Sequence, residues 1–587
     1  MNVRNRQKTQ TFRKECEEMS DTVKKKISIG VEDFKEIINK NGYFVDKTLM
    51  IKKLIESSAK VTLFTRPRRF GKTLNQFMIR RFFEDEITEK GEKVDNGYLF
   101  DGLKITECGE EIMKHSQQYP VIFLTLKSAK QPDFEMAYAC LIDEICKEFQ
   151  RHSYVLAGEM PQRNRERFEK IQLGKGSRDE YAKALGFLSE CLWQYHGKNT
   201  IILIDEYDVP LENAYFRGFY DKMIDFIRSL FESALKTNPY LERSVITGCL
   251  RISKESIFTG LNNLKVDSVL RTEYGDSFGF TESEVEAMLA YYNLQEKLQE
   301  VKKWYDGYLF NEIEIYNPWS IINYVYDHDR KITKFALPYW SNSSSNSIIR
   351  EMVGEADEKA KEDLETLING GTIEKQVHED ITYGDIQQTQ DNLWNFLFFT
   401  GYLKKISERE DESSETLYLS MAIPNTEIKT IYKNSISYWF EQRIKETDRS
   451  PLKHALETGD CEAAEDFINT QLADTISYYD YAENFYHGFM AGLLVNIGGY
   501  RVKSNRESGN GRPDIVMQTV QIRKGRVIIL ELKIAGSIAE MDAACDRGLA
   551  QIEEEHYAEP FIAEGYPEVK KYALSFCKKE CMVKKAE

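Results

Sequence analysis

Short, unbroken apolar runs separated by amphipathic helical patterns constrain the fold of this chain most. Between residues 27 and 280 these runs are Val61–Thr65, Val121–Leu126, Ile201–Ile204 and Ser244–Thr247. Strands that read as continuous apolar runs are typical of parallel sheets with helices on both faces. The pattern therefore predicts an α/β domain with a parallel sheet over residues 27–280.

Two further regions follow this domain. Helical patterns dominate residues 281–470, which we predict to be a mainly helical lid or linker. An α/β pattern returns in residues 471–587, with strand candidates at Tyr500–Asn505, Asp514–Val520 and Val527–Lys533 and a helix after them. Residues 1–26 are predicted to be a flexible basic arm, and a length of 587 residues fits roughly three to five domains.

Composition excludes several classes of protein. A chain that is 42% hydrophobic is too apolar to be disordered. Its longest apolar stretch, near Phe489–Ile497, falls short of the ~18 residues of a membrane helix. The first 26 residues contain no apolar signal-peptide core, and the 10 cysteines form no Cys-x-x-Cys pair, so we expect a cytoplasmic protein without a zinc site. The net charge of −16 argues against a general nucleic-acid coat, although local basic grooves remain compatible with it.

The first chemical motif follows the strand candidate Val61–Thr65. The loop reads Arg66-Pro67-Arg68-Arg69-Phe70-Gly71-Lys72-Thr73, and a helical pattern comes next. This is the context of a Walker A phosphate loop, in which backbone N–H groups bind phosphate oxygens. Lys72 would reach the β- and γ-phosphates of ATP, and the Thr73 hydroxyl would hold Mg²⁺.

The match to the Walker A motif is incomplete at its start. Arg66 stands where the motif has its first glycine, and Pro67 removes one backbone donor. The three arginines of the loop either supply charge to the phosphates or form a surface patch. These features leave ATP hydrolysis open.

A second element supports nucleotide binding. The run Ile201–Ile204 ends in Asp205 and Glu206, the arrangement of a Walker B strand. Asp205 would bind the Mg²⁺ shell, and Glu206 would orient or deprotonate the attacking water. The alternative is a core strand followed by a solvated acidic turn. Thr247 or Arg251, after the last apolar run, could sense the γ-phosphate, or could belong to an ordinary strand-to-loop turn.

Two acids and a lysine near the C-terminus form a second constellation. Glu531 and Lys533 end a strand candidate and share one face, because residues i and i+2 of a strand do. Asp514 lies beside Glu531 if the strands at 514–520 and 527–533 are neighbours. Adjacent carboxylates raise each other's pKa unless a cation lies between them, and Mg²⁺ or Mn²⁺ with oxygen ligands serves this purpose. Such a metal ion polarises a phosphodiester and generates hydroxide from a bound water, which Lys533 would position. The alternative to a metal site is a hairpin whose exposed end carries an ion pair.

Longer segments resemble a bacterial AAA-ATPase-like family that ends in a PD-(D/E)XK nuclease domain. Phe64–Thr73 carries the Arg-Pro-Arg-Arg form of that family's phosphate loop, so the missing glycine is the family's pattern. The other similar segments are Ile29–Phe34, Tyr43–Thr48, Trp304–Tyr308 and Tyr316–Ser320. The aromatic residues of the last two are expected to pack rather than to form a site.

The resemblance extends from about residue 27 to residue 580 and implies further site residues. Pro513-Asp514 and Glu531-Leu532-Lys533 spell the nuclease signature. Glu483 matches the position of a helical acid of the nuclease site, and Gln551 matches a glutamine found near the metal. His487 shares a helix face with Glu483, either as a packed histidine or as a catalytic one.

These motifs together predict an ATP-binding, metal-dependent nuclease whose substrate is nucleic acid, with DNA expected. Residues 501–533 include eight basic and three acidic residues. This local excess of positive charge favours contacts with phosphates that do not read the base sequence. The rival hypothesis is a nucleotide-switch signalling or binding module with a catalytically weak nuclease-like domain. The choice of DNA or RNA, the coupling of ATP to cleavage, and a possible homo-oligomer stay open.

Overall fold

The computed structural model of this chain describes residues 24–236, 238–251, 257–258, 263–271, 273–342, 358–377, 390–411, 416–473, 483–495, 497–504 and 513–586. The chain divides into two compact units, one of residues 1–342 and 374–428 and the other of residues 343–373 and 429–587. Each unit has its own five-stranded sheet. Of the predicted basic arm, only residues 24–26 belong to the described part.

The first unit is built on a five-stranded parallel sheet. Its strands are β1 (Val61–Thr65), β2 (Val121–Thr125), β3 (Thr200–Asp205), β4 (Leu241–Gly248) and β5 (Leu264–Asp267). They lie in the order β2-β3-β4-β1-β5, and all neighbours are parallel. Every residue of β1 and β3 is buried, as continuous apolar strands require. The predicted parallel α/β domain is confirmed, and β4 separates the strands that precede the two phosphate motifs.

Helices accompany this sheet along the chain. They are α1 (Phe34–Asn39), α2 (Leu49–Glu56), α3 (Lys72–Phe83), α4 (Glu110–Met113), α5 (Phe134–Arg151), α6 (Gln162–Gln172), α7 (Arg178–Ala182), α8 (Ala184–His196), α9 (Val209–Arg217) and α10 (Tyr220–Phe231). Several begin at the expected capping residues. Asp33 and Asp133 accept backbone N–H groups at the starts of α1 and α5, and Ser177 forms a capping box at α7.

The region that follows is mainly helical, as predicted, but also contains two small three-stranded sheets. Its helices are α11 (Glu282–Tyr291), α12 (Leu298–Tyr305), α13 (Pro318–Asp329), α14 (Glu358–Ile368), α15 (Gln390–Thr400) and α16 (Thr426–Glu446). Its strands are β6 (Phe280–Thr281), β7 (Tyr308–Phe310), β8 (Ile313–Tyr316), β9 (Ile373–Gln376), β10 (Lys404–Asp411) and β11 (Thr416–Ala422). The sheet orders are β6-β8-β7 and β10-β11-β9. Four of these strands, β6 to β9, have only two to four residues, and β10 is largely exposed, so their apolar signal in the sequence is weak.

The second unit contains a mixed five-stranded sheet in the order β12-β13-β14-β15-β16. Its strands are β12 (Tyr500–Ser504), β13 (Ile515–Thr519), β14 (Arg526–Ile534), β15 (Glu568–Cys577) and β16 (Glu580–Lys585). Its helices are α17 (Ser450–Thr458), α18 (Cys461–Ala473), α19 (Glu483–Leu494), α20 (Met541–Glu554) and α21 (Glu559–Glu564). Only β14 and β15 pair in parallel.

The core of the second unit shows where its helices lie. Leu456 of α17, Ile468 of α18 and Leu493 of α19 pack with Leu530 and Leu574 on one face of the sheet. Ile552 of α20 packs on the other face. Helices α17 and α18 thus belong to this core although both begin before residue 471. In the described part of the chain, no helix combines the length and the apolar character needed to cross a membrane.

Candidate functional sites

The loop between β1 and α3 takes up left-handed backbone conformations at two positions. Arg69 has a φ of 70° and Gly71 a φ of 82°. Such residues form concave rows of backbone N–H groups that bind anions, and the start of α3 adds its own unpaired N–H groups. No acceptor for the N–H groups of residues 70–73 occurs among the described residues. The loop therefore offers several donors to an anion, although Pro67 contributes none.

The Arg66 side chain is fully buried and directed at β5. Its guanidinium forms an ion pair with the Asp267 carboxylate and also donates to the carbonyl oxygens of Asp267 (2.8 Å) and Tyr274 (3.4 Å). It lies 5.1 Å and 5.2 Å from the ring centroids of Phe278 and Phe310. A guanidinium enclosed in this way does not reach a phosphate. The suggestion that all three loop arginines supply phosphate charge is therefore corrected for Arg66, whose backbone N–H is also bonded to the Gly248 carbonyl oxygen at 3.0 Å.

Two further side chains of the loop contact the middle region of the chain. The Arg69 guanidinium lies 4.2 Å from the centroid of the Trp319 ring. The Phe70 ring packs 4.9 Å from Tyr308, edge to face. The aromatic residues that are expected to pack thus pack directly against the phosphate loop.

The residues that follow the loop meet the end of β3. The Thr73 hydroxyl donates to Asp205 Oδ2 at 2.8 Å, and the Thr247 hydroxyl donates to Asp205 Oδ1 at 2.8 Å. Lys72 Nζ donates to the carbonyl oxygens of Arg66 and Pro67, each at 3.1 Å. Burial raises the pKa of Asp205 above its ordinary value. The sequence-predicted Walker A and Walker B residues are therefore in direct contact.

Glu206 and Asp208 continue this site beyond β3. Glu206 has a φ of 52°, a conformation that costs a non-glycine residue about 1–3 kcal/mol and that clusters at functional sites. Asp208 accepts the N–H groups of Cys249 (2.7 Å) and Leu250 (3.1 Å), and burial raises the pKa of Asp208 to about 6. Asp208 therefore holds the loop after β4 in place. This role was not predicted from the sequence.

The other two arginines considered from the sequence lie nearby in the fold. Arg68 forms an ion pair with Glu212 of α9. Arg251 stands three residues after the end of β4. The Thr247 hydroxyl donates a hydrogen bond to Asp205. Sensing of a γ-phosphate by Thr247 or Arg251 stays a prediction.

Lys127, which follows β2, is a further residue of this site that was not predicted from the sequence. Its Nζ lies 2.7 Å from Thr73 Oγ1, 3.6 Å from Asp205 Oδ2 and 2.8 Å from Glu32 Oε1. The carboxyl ends of the strands in a parallel sheet meet at one edge, and ligands of such sheets bind there. A charged residue directly after a predicted strand was therefore a usable signal.

The donor set at this edge fits a nucleotide with a divalent metal ion. Thr73 and Asp205 present the hydroxyl and carboxylate oxygens that Mg²⁺ prefers. Asp208 Oδ1 is buried and has no hydrogen-bond partner in the part of the chain that the structure describes. Residues 70–73 present the N–H groups described above. The site therefore has both acceptors for a cation and donors for phosphate oxygens.

The second candidate site lies in the second unit, at the start of β13 and in the second half of β14. Asp514 Oδ2 accepts the Leu532 N–H at 2.8 Å. Lys533 Nζ donates to Glu531 Oε1 at 2.9 Å and to Gln551 Oε1 at 2.7 Å. Ile515 of β13 pairs with Leu530 of β14, which places Asp514 beside Glu531. The predicted neighbourhood of these residues is therefore present in the fold.

The electrostatics of Glu531 fit a cation-binding role. Glu531 is 2% exposed, and burial, together with the nearby Asp514 carboxylate, raises the pKa of Glu531 to about 7. Its Oε2 atom has no hydrogen-bond partner among the residues that the structure describes. A divalent cation at this oxygen would satisfy it and remove the repulsion between the two carboxylates.

Helix α19 supplies His487 to the same site. His487 Nε2 lies 3.1 Å from the backbone oxygen of Asp514 and 3.4 Å from Ser504 Oγ. A carbonyl oxygen only accepts, so Nε2 carries the proton and donates it. His487 thus positions the segment that carries Asp514. Glu483 is the first residue of α19, and its side chain lies outside the described residues.

No group of three or more His, Cys, Asp or Glu side chains suited to a metal ion occurs within the described residues. Among the described residues, the second site has two acidic side chains, Asp514 and Glu531. The side chain of the predicted third acid, Glu483, lies outside the described residues. The whole ligand set, Asp514 and Glu531 included, therefore stays a prediction.

Two residues of the second site were missed from the sequence. The Tyr557 hydroxyl accepts Gln551 Nε2 at 3.2 Å and fixes the orientation of that amide. Gly548 lets α20 approach β14 and β15 closely, because an added Cβ would lie 2.9 Å from Ala573 Cβ and 3.4 Å from Lys533 Cγ. No local pattern marks either residue, since both depend on which strand the helix covers.

Basic residues extend along the same face of the sheet. Lys503 of β12 pairs with Val516, which pairs with Ile529, two residues before Glu531. Opposite residues of antiparallel strands share a face, so the exposed Lys503 and Arg501 are on the face of Glu531. Arg506 and Arg512 lie outside the described residues.

Comparisons with known proteins find a match for each of the two regions that contain the candidate sites. Residues 28–258 match the family model described as predicted AAA-ATPase, and residues 481–586 match that of the PD-(D/E)XK nuclease superfamily. The chain is also 24% identical over 563 residues to a protein of Azotobacter chroococcum mcd 1 described as "Uncharacterized protein in vnfD 5'region". That match covers 93% of this chain and 95% of the relative.

Proposed function

We propose that this chain, with its AAA-ATPase-like domain and its PD-(D/E)XK nuclease superfamily domain, is a nucleotide-regulated, metal-dependent nuclease. The second site would cleave phosphodiester bonds of nucleic acid, with DNA the expected substrate. The first site would bind ATP and control or drive that cleavage. The cytoplasm is the expected location.

The orphaned oxygen of Glu531 is the observation that carries the proposal. A buried carboxylate beside a second carboxylate is unfavourable without a cation, so the pair favours a metal site over a structural ion pair. Lys533 bonds to one oxygen of Glu531 only and leaves the other available.

Each residue of the second site then has a definite task. Asp514 and Glu531 would hold Mg²⁺ or Mn²⁺, with Glu483 as a further acid. When bound, such a metal ion supplies Lewis-acid polarisation of the phosphodiester and lowers the pKa of a bound water. Gln551 and Glu531 hold the Lys533 ammonium in place, where it orients the attacking water or stabilises developing negative charge.

The substrate class follows from charge. Arg501 and Lys503 offer cations along the face that leads to Glu531. Lysine and arginine bind phosphates without reading sequence, so we expect little sequence preference.

The first site would bind ATP through the backbone of residues 68–73 and the Lys72 ammonium. Thr73 and Asp205 would hold Mg²⁺, which when bound neutralises charge on the phosphates. Glu206 stands where a water-orienting carboxylate is required. Pro67 favours a second candidate function, a nucleotide switch that binds ATP without efficient turnover, because it withholds one loop donor.

Cleavage of plasmid and single-stranded DNA tests the proposal directly. The full-length protein is incubated with Mg²⁺ or Mn²⁺, with and without ATP, beside Asp514→Ala, Lys533→Ala and the exposed control Glu564→Gln. We expect both site variants to lose cleavage by about 100-fold or more, because each removes a group that acts in the transition state. The control keeps full activity, and ATP binding is unchanged in all three.

Three other results are informative. Equal cleavage by Asp514→Ala and the unsubstituted protein would refute the assignment of the second site. Cleavage that does not respond to ATP would refute the regulatory part. Tight nucleic-acid binding without cleavage of DNA or RNA in any metal would support the switch-like binding module instead.

A further inference from the structure

The Lys127 ammonium stands where Thr73 and Asp205 would hold a metal ion. It lies 2.7 Å from Thr73 Oγ1 and 3.6 Å from Asp205 Oδ2. The Thr73 hydroxyl gives its proton to Asp205, so its lone pairs face the ammonium. A metal ion bound by Thr73 needs the same lone pairs.

Without a bound nucleotide, the first site contains a buried carboxylate that requires a compensating positive charge. Asp205 is 0% exposed, and its two oxygens accept hydrogen bonds from the neutral hydroxyls of Thr73 and Thr247. A buried carboxylate requires a cation or loses its charge. Lys127 is the nearest ammonium to this carboxylate among the described residues.

Lys127 also has a second partner away from the site. Glu32 Oε1 accepts its ammonium at 2.8 Å. The Lys127 side chain is 31% exposed and that of Glu32 is 58% exposed. The lysine can therefore retain an ion pair with Glu32 after it leaves Thr73.

We propose that Lys127 is an internal, displaceable cation of the phosphate site. In the nucleotide-free protein it compensates Asp205, and it withdraws toward Glu32 when a metal-bound nucleotide takes the oxygens of Thr73 and Asp205. With metal-free ATP it stays and supplies positive charge beside the phosphates. This inference rests on the proposed binding of ATP and assigns a positioning and metal-discriminating role to a residue outside the sequence motifs.

Nucleotide binding with and without metal tests this role. The dissociation constant of ATP is measured by calorimetry on the full chain, once in EDTA and once in Mg²⁺. The dissociation constant in EDTA divided by that in Mg²⁺ gives a ratio that is compared between variants. Lys127→Met removes the cation, so ATP binding in EDTA weakens while binding in Mg²⁺ stays or tightens. We expect the ratio to rise about tenfold, the effect of one charge-assisted hydrogen bond.

A substitution of Glu32, the second partner of Lys127, should shift the ratio of the two dissociation constants in the opposite direction. Glu32→Gln removes the site to which Lys127 withdraws, so binding in Mg²⁺ weakens. The ratio falls about two- to fivefold, as expected for an exposed ion pair. Lys130→Met is the matched control, an exposed lysine three residues along the chain, and leaves the ratio unchanged.

The outcomes separate this inference from the proposed function. A ratio that is unchanged or lower in Lys127→Met, while the unsubstituted protein binds ATP, overturns the inference alone. Absence of ATP binding by the unsubstituted protein in both buffers overturns nucleotide binding itself and the inference with it. If Lys127→Met does not fold, the exposed variant Glu32→Gln decides, and an unchanged ratio there refutes the withdrawal.

Discussion

Replacement of Glu427 by glutamine should stabilise the first unit at high pH and have little effect at low pH. Glu427 lies at the start of α16 and is fully buried. Its two oxygens accept the Ser320 hydroxyl at 2.7 Å and the Trp340 N–H at 2.8 Å. Among the described residues, burial and hydrogen bonds dominate the surroundings of this carboxyl group, and no cation contributes to its pKa. Burial therefore raises the pKa of Glu427 to about 7.

The magnitude follows from the displacement of this pKa from its ordinary value of 4.5. A rise of about 2.5 pH units corresponds to ~3 kcal/mol between the two protonation states. Because the folded pKa is raised, the stability that Glu427 contributes is fully present below about pH 4.5 and is lost as the pH rises through about 7. Glutamine resembles the protonated acid at every pH, since its amide can donate to Ser320.

Scanning calorimetry of the full chain between about pH 5 and pH 8 measures this effect. The melting temperature of Glu427→Gln should equal that of the unsubstituted protein near the acid limit. At about pH 8 the melting temperature of Glu427→Gln should be higher than that of the unsubstituted protein by roughly 4 °C, given the size of this unit. The exposed Glu312→Gln serves as the control and should show no trend. A difference that is constant with pH, or that has the opposite sign at high pH, would refute the reasoning.

Three further predictions concern packing and positioning. Asp267→Asn should lower the stability of the first unit by ~3 kcal/mol, because it leaves the buried Arg66 guanidinium without its counter-ion; melting of the full chain checks this, and a loss below about 1 kcal/mol would contradict it. Gly548→Val should destabilise the second unit by ~1–3 kcal/mol, because the new side chain meets Ala573 at 2.9 Å; an unchanged melting transition would show that α20 shifts freely. Tyr557→Phe should lower kcat for cleavage about tenfold with KM unchanged, because Gln551 loses the acceptor that orients it toward Lys533; an effect confined to KM would place the residue in substrate binding instead.

The phosphate loop illustrates how a departure from a motif acquires a structural reason. An arginine in place of the first glycine suggests either phosphate charge or a surface patch from the sequence alone. In the fold its side chain instead joins β1 to β5 through Asp267, 201 residues away. No local pattern indicates that partner, because Asp267 ends a four-residue strand that carries little apolar signal.

Both candidate sites were located from the sequence because strand ends are local features. Continuous apolar runs and the charged residues that follow them located Asp205, the last residue of β3, and Glu531, which lies in β14 three residues before its end. The i, i+2 rule also placed Lys533 on the face of Glu531. The ligand chemistry followed from residue types.

The tertiary structure alone decided which residues join those sites from a distance. The order of the strands brings the end of β2, and with it Lys127, to Thr73 and Asp205. The cover of α20 over β14 brings Gln551 to Lys533, with Tyr557 behind it. Secondary structure follows from periodicity and turn chemistry along a few residues, so the sequence determines it directly. Strand order and helix cover arise from the burial of whole faces against one another, a property of the complete fold that no short segment encodes.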